Sequence, residues 1–327
     1  MMSIGWYFYN RTKNLSDYVL GGRGLNAWVT SLSAQASDMS GWLLLGLPGY
    51  AYLAGLEAGW IALGLMIGTY LNWKFIAKRL RKYTEIAGNA ITLPVFFENR
   101  FRDKTGILRV LSALFIIIFF LLYTSSGFVA GAKLFNTVFN IPYIFALSIG
   151  VFVIIGYTFL GGFMAVSWTD FFQGMLMFFA IIIIPILGVF ALGGFDQTIT
   201  KINGINPELL NMLTTTSGES LKFIPVLSLV AWGFGYFGQP HILARFMAIS
   251  SSDKVKKARR IAMGWVVISL SASVVVGIVG RVLLTENPLI GKASSETVFM
   301  VLVNQLTTPL VGGILLAAIL AAVMSTA

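Results

Sequence analysis

Ser31, Ser33, Gln35, Ser37, Asp38 and Ser40 lie within one otherwise apolar stretch, followed by Gly41-Trp42 and then Gly46-Leu47-Pro48-Gly49. An ionised aspartate in the middle of a membrane span costs about 2.5–3.5 kcal/mol on insertion scales. Glycine and proline beside it lower the cost of leaving helical geometry. A bilayer tolerates such irregularity only where it lines a cavity or packs inside protein, so the coincidence of Asp38, Ser40 and Gly41 points to a binding site. Close packing of small residues is the plainer reading of the same serines. A second polar interruption falls at Ala322, Ser325 and Thr326, spaced i, i+3, i+4 and therefore on one helical face. Two hydroxyls and a carbonyl of the preceding turn would there offer neutral oxygen ligands, suited to a hard monovalent cation that must be released again. Taken alone, that motif reads more readily as close helix packing.

The elements that must position these residues are membrane spans. The chain is 57% hydrophobic, only 11% charged, and has a mean hydropathy of +0.83, outside the range of ordinary soluble domains. Continuous apolar runs rather than alternating ones exclude a barrel and predict an all-α polytopic membrane protein. Eight spanning segments are expected, at roughly 27–53, 57–79, 107–132, 141–161, 163–193, 222–248, 258–284 and from 296 onward, each long enough for a hydrocarbon core about 30 Å thick. Residues 1–9 read as the stub of another span. The whole of 1–327 is expected to be one membrane domain, a piece cut at both ends of a longer protein. The segment 194–220 reads as a polar external loop without a helical span, able to fold as a short lid.

A net charge of +10 raises the question of nucleic acid. With residues 10–24 placed inside, 18 of the 23 basic residues fall on one side, including Lys74 to Arg109 and Arg245 to Arg260. This is the positive-inside pattern of a multi-pass protein of the cell membrane with its basic loops cytoplasmic, and it requires no nucleic acid. Topological anchoring also accounts better than lipid recognition for the cluster Lys74 to Lys82. Cysteine is absent, which removes disulfides and thiolate metal sites. No His-rich metal motif, partnered nucleophile or phosphate-cradling loop is present, so an enzyme is not expected. His241, the only histidine, suits a proton relay less well than a structural hydrogen bond near Pro240.

The run Leu15 to Arg23, then Ala34 to Leu43, Gly161 to Gly174 and Ala231 to His241, resembles the sodium/solute symporter family, in its sodium/proline branch. The resemblance implies a leucine-transporter-like fold of 5+5 inverted repeats, here incomplete, and sodium-coupled symport of L-proline by alternating access with sodium as coupling ion and no other cofactor. It implies sodium ligation by the carbonyls of Ala36, Met39 and Ala322 and the hydroxyls of Ser325 and Thr326, with Asp38 tied to sodium coupling. It further implies substrate contacts from Ser40, Gly41, Trp42, Tyr123, Trp232 and Tyr236, the aromatic rings suiting proline's apolar ring. Trp232 and Tyr236, four apart, are expected on one helical face. Arg23 and Asp170 match family positions as either a cytoplasmic gate contact or interfacial anchors. A sodium- or solute-sensing receptor built on the same domain, and a symporter for another small amino acid, remain as alternative readings.

Overall fold

A computed structural model describes residues 2–326, and within them all side chains but those of Met2, Thr137, Val138, Phe139, Tyr157 and Leu160. Every regular element among the described residues is a helix, with isolated bridges at Leu25–Ile249 and Thr214–Ser220. In chain order the helices are α1 (Met2–Tyr9), α2 (Leu15–Leu20), α3 (Ala27–Met39), α4 (Gly46–Ala54), α5 (Gly59–Leu71), α6 (Lys78–Ile86), α7 (Leu93–Phe101) and α8 (Ile107–Phe139). There follow α9 (Tyr143–Ala191), α10 (Phe195–Ile205), α11 (Phe223–Val230), α12 (Pro240–Ala248), α13 (Val255–Leu283), α14 (Gly291–Ser295), α15 (Val298–Leu306) and α16 (Pro309–Thr326).

Helix α3 is the axis of the molecule. It starts where the Asn26 side chain accepts the Trp28 and Val29 amides at 2.9 and 3.0 Å, an N-cap that satisfies two otherwise orphaned donors. Helices α9, α12, α13 and α16 all pack against it, which is why nearly every one of its residues is buried, polar ones included. Several of those polar residues are tolerated because they are partnered. Ser31 Oγ lies 2.5 Å from the Ala27 carbonyl of its own helix and 2.7 Å from the Ala258 carbonyl of α13, while Ser33 Oγ donates to Asp170 on α9 at 2.7 Å.

Five helical stretches among the described residues have the length and hydropathy to cross a membrane: Gly41–Ile86, Ile107–Asn136, Gly161–Ala191, Ser252–Leu283 and Pro309–Thr326. Two of the expected spans, 27–53 and 222–248, do not form one unbroken helix, whereas 141–161 is the first part of α9. The first is interrupted at Ser40, whose φ of 50° and ψ of −168° lie outside helical space. Helix α9 runs on past the span 141–161 through a kink at Gly162 (φ 58°, ψ −162°). The span 222–248 is split by a 3₁₀ stretch, Ala231–Gly238, between α11 and α12. The segment 194–220 differs from the expected loop: its first half is α10, followed by a 3₁₀ turn at Pro207–Leu210, because Thr198 and Ile202 bury one face.

Candidate functional site

The break at Ser40 is the origin of the site. A helix ends with its last four carbonyls free of intrahelical partners, and in α3 these belong to Ala36, Ser37, Asp38 and Met39. Three of them have acquired side-chain donors. The Tyr123 hydroxyl of α8 lies 2.9 Å from the Asp38 carbonyl and 3.4 Å from that of Ser37. The Ser325 hydroxyl of α16 lies 2.9 Å from the Ala36 carbonyl. The Met39 carbonyl is the fourth, on a residue only 2% exposed.

On α16 the hydroxyls of Ser325 and Thr326 lie 3.1 and 2.8 Å from the Ala322 carbonyl. Four of the five expected cation ligands, Ala36, Ala322, Ser325 and Thr326, are therefore linked in one chain of oxygens between two helices. Ser325 carries one hydroxyl proton for two carbonyls, so it serves only one of them at a time. The set is neutral and buried, and its oxygens match what a hard monovalent cation takes.

Asp38 sits two residues before the break with its side chain 4% exposed. The Tyr236 hydroxyl faces its carboxylate, and His241 Nε2 stands 4.0 Å from Oδ1. Both His241 ring nitrogens are buried without a hydrogen bond, contrary to the structural hydrogen bond expected for them. The ring is held by aromatic packing instead, stacked on Tyr123 at 5.7 Å and edge-on to Phe120 at 5.3 Å.

Trp232 and Tyr236 do not share a face as expected. They lie in the 3₁₀ stretch, where a turn takes about three residues, so positions four apart diverge by roughly 120°. Tyr236 points inward and is 3% exposed, whereas Trp232 is 53% exposed and packs on Trp42 with ring centroids 5.3 Å apart. These two indoles line a cavity of about 300 Å³ with Gly46, Tyr50, Lys292 and Glu296. Gly46 is required there, because a Cβ at that position would run into the Trp42 indole. Ser40 and Gly41 connect the cavity to the oxygen cluster: Ser40 Oγ caps the short helix Gly41–Leu43 by accepting the Trp42 amide at 3.1 Å.

Arg23 and Asp170 lie apart from this cluster. The Arg23 guanidinium donates to Thr84 Oγ1 and the Ala90 carbonyl, both at 3.1 Å, tying the start of α3 to α6. Partial burial, together with Arg81 close by, holds its pKa below the ordinary value. Asp170 is not an interfacial anchor: it is 0% exposed and takes Arg245 Nη2 and Ser33 Oγ, each at 2.7 Å, on its Oδ2. Arg245 Nε reaches Ser33 at 2.6 Å and Nη1 the His241 carbonyl at 2.8 Å. Arg245 was counted among the loop cations, yet it is 5% exposed. Its place four residues after His241, on a short helix opened by Pro240, was the signal for an intramembrane charge that needs a partner.

The model of the sodium:solute symporter family matches residues 18–327. The chain belongs to that family. Its relatives include the high-affinity proline transporter PutP of Bacillus subtilis (strain 168), 48% identical over 326 residues that cover all of this chain and 68% of the relative. The sodium/proline symporter of Escherichia coli (strain K12) is 49% identical, with 64% of its length covered, and that of Staphylococcus aureus (strain NCTC 8325 / PS 47) is 48% identical, with 62% covered. This sodium:solute symporter chain thus spans about two thirds of the length of these relatives. A solved Na⁺-coupled sialic acid symporter in a substrate-bound outward-open state superimposes with a TM-score of 0.81 at 19% identity, covering 99% of this chain and 68% of that one. At that identity the likeness speaks to fold alone, and the fold is the leucine-transporter-like one expected.

Proposed function

We propose that this sodium:solute symporter chain couples the movement of L-proline to that of sodium by alternating access. The observation that carries the reading is the Ser325–Ala36 contact, which joins a chain of neutral oxygens between a broken helix and α16. Sodium binds the carbonyls of Ala36, Met39 and Ala322 and the hydroxyls of Ser325 and Thr326. By bracing α3 against α16 it fixes the backbone at Ser40 and Gly41, which receive the substrate carboxylate. The pyrrolidine ring packs against the wall that Trp42 and Trp232 form together, and Tyr123 and Tyr236 hold the broken segment from the opposite side. Coupling is shared geometry, since both ligands order the same interruption. Asp38 acts through Tyr236 and the orientation of the break. Arg23 serves as a contact at the cytoplasmic end, and Asp170 as a buried clasp between α9 and α12.

The names of three relatives near 48% identity support proline as substrate and sodium as coupling ion. The charge distribution supports a cell-membrane protein with its basic loops in the cytoplasm. The test is uptake of labelled proline by proteoliposomes holding the protein, with and without an inward sodium gradient. Gradient-driven accumulation is expected. Sodium-dependent binding without flux would favour a sensor, and uptake indifferent to sodium would overturn the coupling.

A further inference from the structure

Tyr70, in the last turn of α5, is bracketed by two cations. Lys74 Nζ lies 5.4 Å from its ring centroid and Arg259 Cζ, in the first turns of α13, also lies 5.4 Å from it. Lys74 additionally approaches the Phe75 ring at 5.2 Å. Neither cation makes an ion pair or a hydrogen bond with protein among the described residues. The nearest carboxylate in sequence, Asp253, is engaged by Lys78. Two like charges held on one ring repel each other, so an anion between them would relieve that repulsion.

The surface leading away from the two cations is apolar. Going back along α5 from Lys74, Tyr70, Ile67 and Leu63 are 38%, 53% and 39% exposed. Going forward along α13 from Arg259, Met263 is half-buried and Val267 is 43% exposed. Each strip follows helical i, i+3, i+4 spacing and so forms one face. Helices α5 and α13 pack against each other, and Tyr70 near the end of one meets Arg259 near the start of the other. The strips therefore run side by side for roughly 11 Å from a common basic end. Both helices lie in stretches apolar enough to span a membrane.

We propose that this face binds an anionic phospholipid, its phosphate held between Lys74 and Arg259 and an acyl chain lying along Leu63, Ile67 and Val267. The inference rests on the membrane-spanning reading and not on the substrate. The Tyr70 hydroxyl offers a third donor at the same level. A π-helical turn, Asn72–Ala77, follows α5 and carries Lys74 and Phe75, both exposed, and such turns are often functional. Cation charge selects an anionic headgroup, and the apolar strips select a lipid over a soluble phosphate.

Native mass spectrometry of the protein, released from detergent with equimolar phosphatidylglycerol and phosphatidylcholine, tests this. Preferential retention of phosphatidylglycerol is expected. It should fall roughly fivefold for each charge removed in Lys74→Gln and Arg259→Gln, while Arg102→Gln with Lys104→Gln leaves it unchanged. The charge-preserving pair Lys74→Arg with Arg259→Lys should keep the lipid, which separates loss of binding from loss of fold. Equal retention by wild type and the Gln pair would overturn the proposal. So would displacement of the lipid by inorganic phosphate at matching concentration, which would assign the two cations to a soluble anion. Failure of proline uptake would leave this result untouched.

Discussion

The Ser325 hydroxyl stands 2.9 Å from the carbonyl of Ala36, 289 residues earlier in the chain. Ala36 O is available because the helix stops three residues later, and Ser325 reaches it because α16 stays regular through Thr326. One helix must break and its partner must not. A sodium ion placed there would replace hydrogen bonds with ligation and tie the two helices by charge.

Replacing Ser325 and Thr326 with alanine should therefore weaken sodium dependence more than folding. A neutral hydroxyl ligand contributes on the order of 1 kcal/mol, so each single variant should raise the sodium concentration for half-maximal proline uptake roughly fivefold. Sodium titration of uptake checks it, with helical circular dichroism as the fold control. Unchanged sodium dependence in the double variant would remove these hydroxyls from the site.

Much of this arrangement is legible in the sequence. Asp38, Ser40 and Gly41 break a pattern that otherwise has only apolar and small residues, and a bilayer allows that only for a reason. The i, i+3, i+4 spacing at Ala322, Ser325 and Thr326 carried directly into geometry because α16 is a regular helix. The sequence misled where helical type changed. Trp232 and Tyr236 are four apart, but a 3₁₀ stretch sends them to different surroundings. Arg245 was hidden by its basic neighbours, since charge counting along a chain does not show which cation turns inward to meet Asp170. The strip through Lys74 and Arg259 was likewise invisible, because it joins residues 185 apart.

Ser40 combines a φ of 50° with a ψ of −168°, a backbone region almost confined to glycine. Such a residue stores about 1–3 kcal/mol of strain, while its hydroxyl caps Trp42. Ser40→Gly should thus stabilise the fold by about 1 kcal/mol net, since glycine as an N-cap loses only a few tenths relative to serine. Ser40→Ala keeps the strain and loses the cap, and should destabilise by about 1 kcal/mol. Thermal unfolding in detergent separates the two. Equal melting temperatures would show that the break is not strained.

The buried Asp170–Arg245 pair gives an asymmetric prediction. Arg245→Met strands a carboxylate that is 0% exposed, and should cost about 3–5 kcal/mol. Adding Asp170→Leu removes the stranded charge and should recover much of that loss. Melting temperatures of the single and double variants measure it, and a double variant no better than the single would mean the loss is packing rather than charge.

Asp103 accepts the Thr105 hydroxyl at 2.5 Å and the Thr105 and Leu108 amides at 2.9 and 2.8 Å, closing the start of α8. These bonds, the Thr105 hydroxyl first, hold its carboxyl below the ordinary 3.8. A depressed folded pKa gives stabilisation that is complete above the unfolded value and lost as pH falls through the folded one. Amide exchange over residues 107–110 should be flat above about pH 4 after correction for intrinsic rates, and should accelerate below it. Asp103→Asn should abolish that acid-side change, and an identical profile in the variant would assign it to another group.

Trp232 and Tyr236 should separate in function because the 3₁₀ stretch separates them in space. Trp232 packs on Trp42 at the cavity wall, so Trp232→Ala should raise the proline concentration for half-maximal uptake while leaving sodium dependence near wild type. Burying an aromatic ring against an apolar ligand contributes about 1.5–3 kcal/mol, which sets the expected loss at tenfold or more. Tyr236→Phe keeps the ring and removes only the hydroxyl that faces Asp38, so its effect should fall on sodium dependence and leave proline affinity less changed. Proline titrations at high sodium and sodium titrations at high proline, run on both variants, give the four numbers required. A matching pattern in the two variants would mean that the aromatic wall and the Asp38 cluster act as one site rather than two.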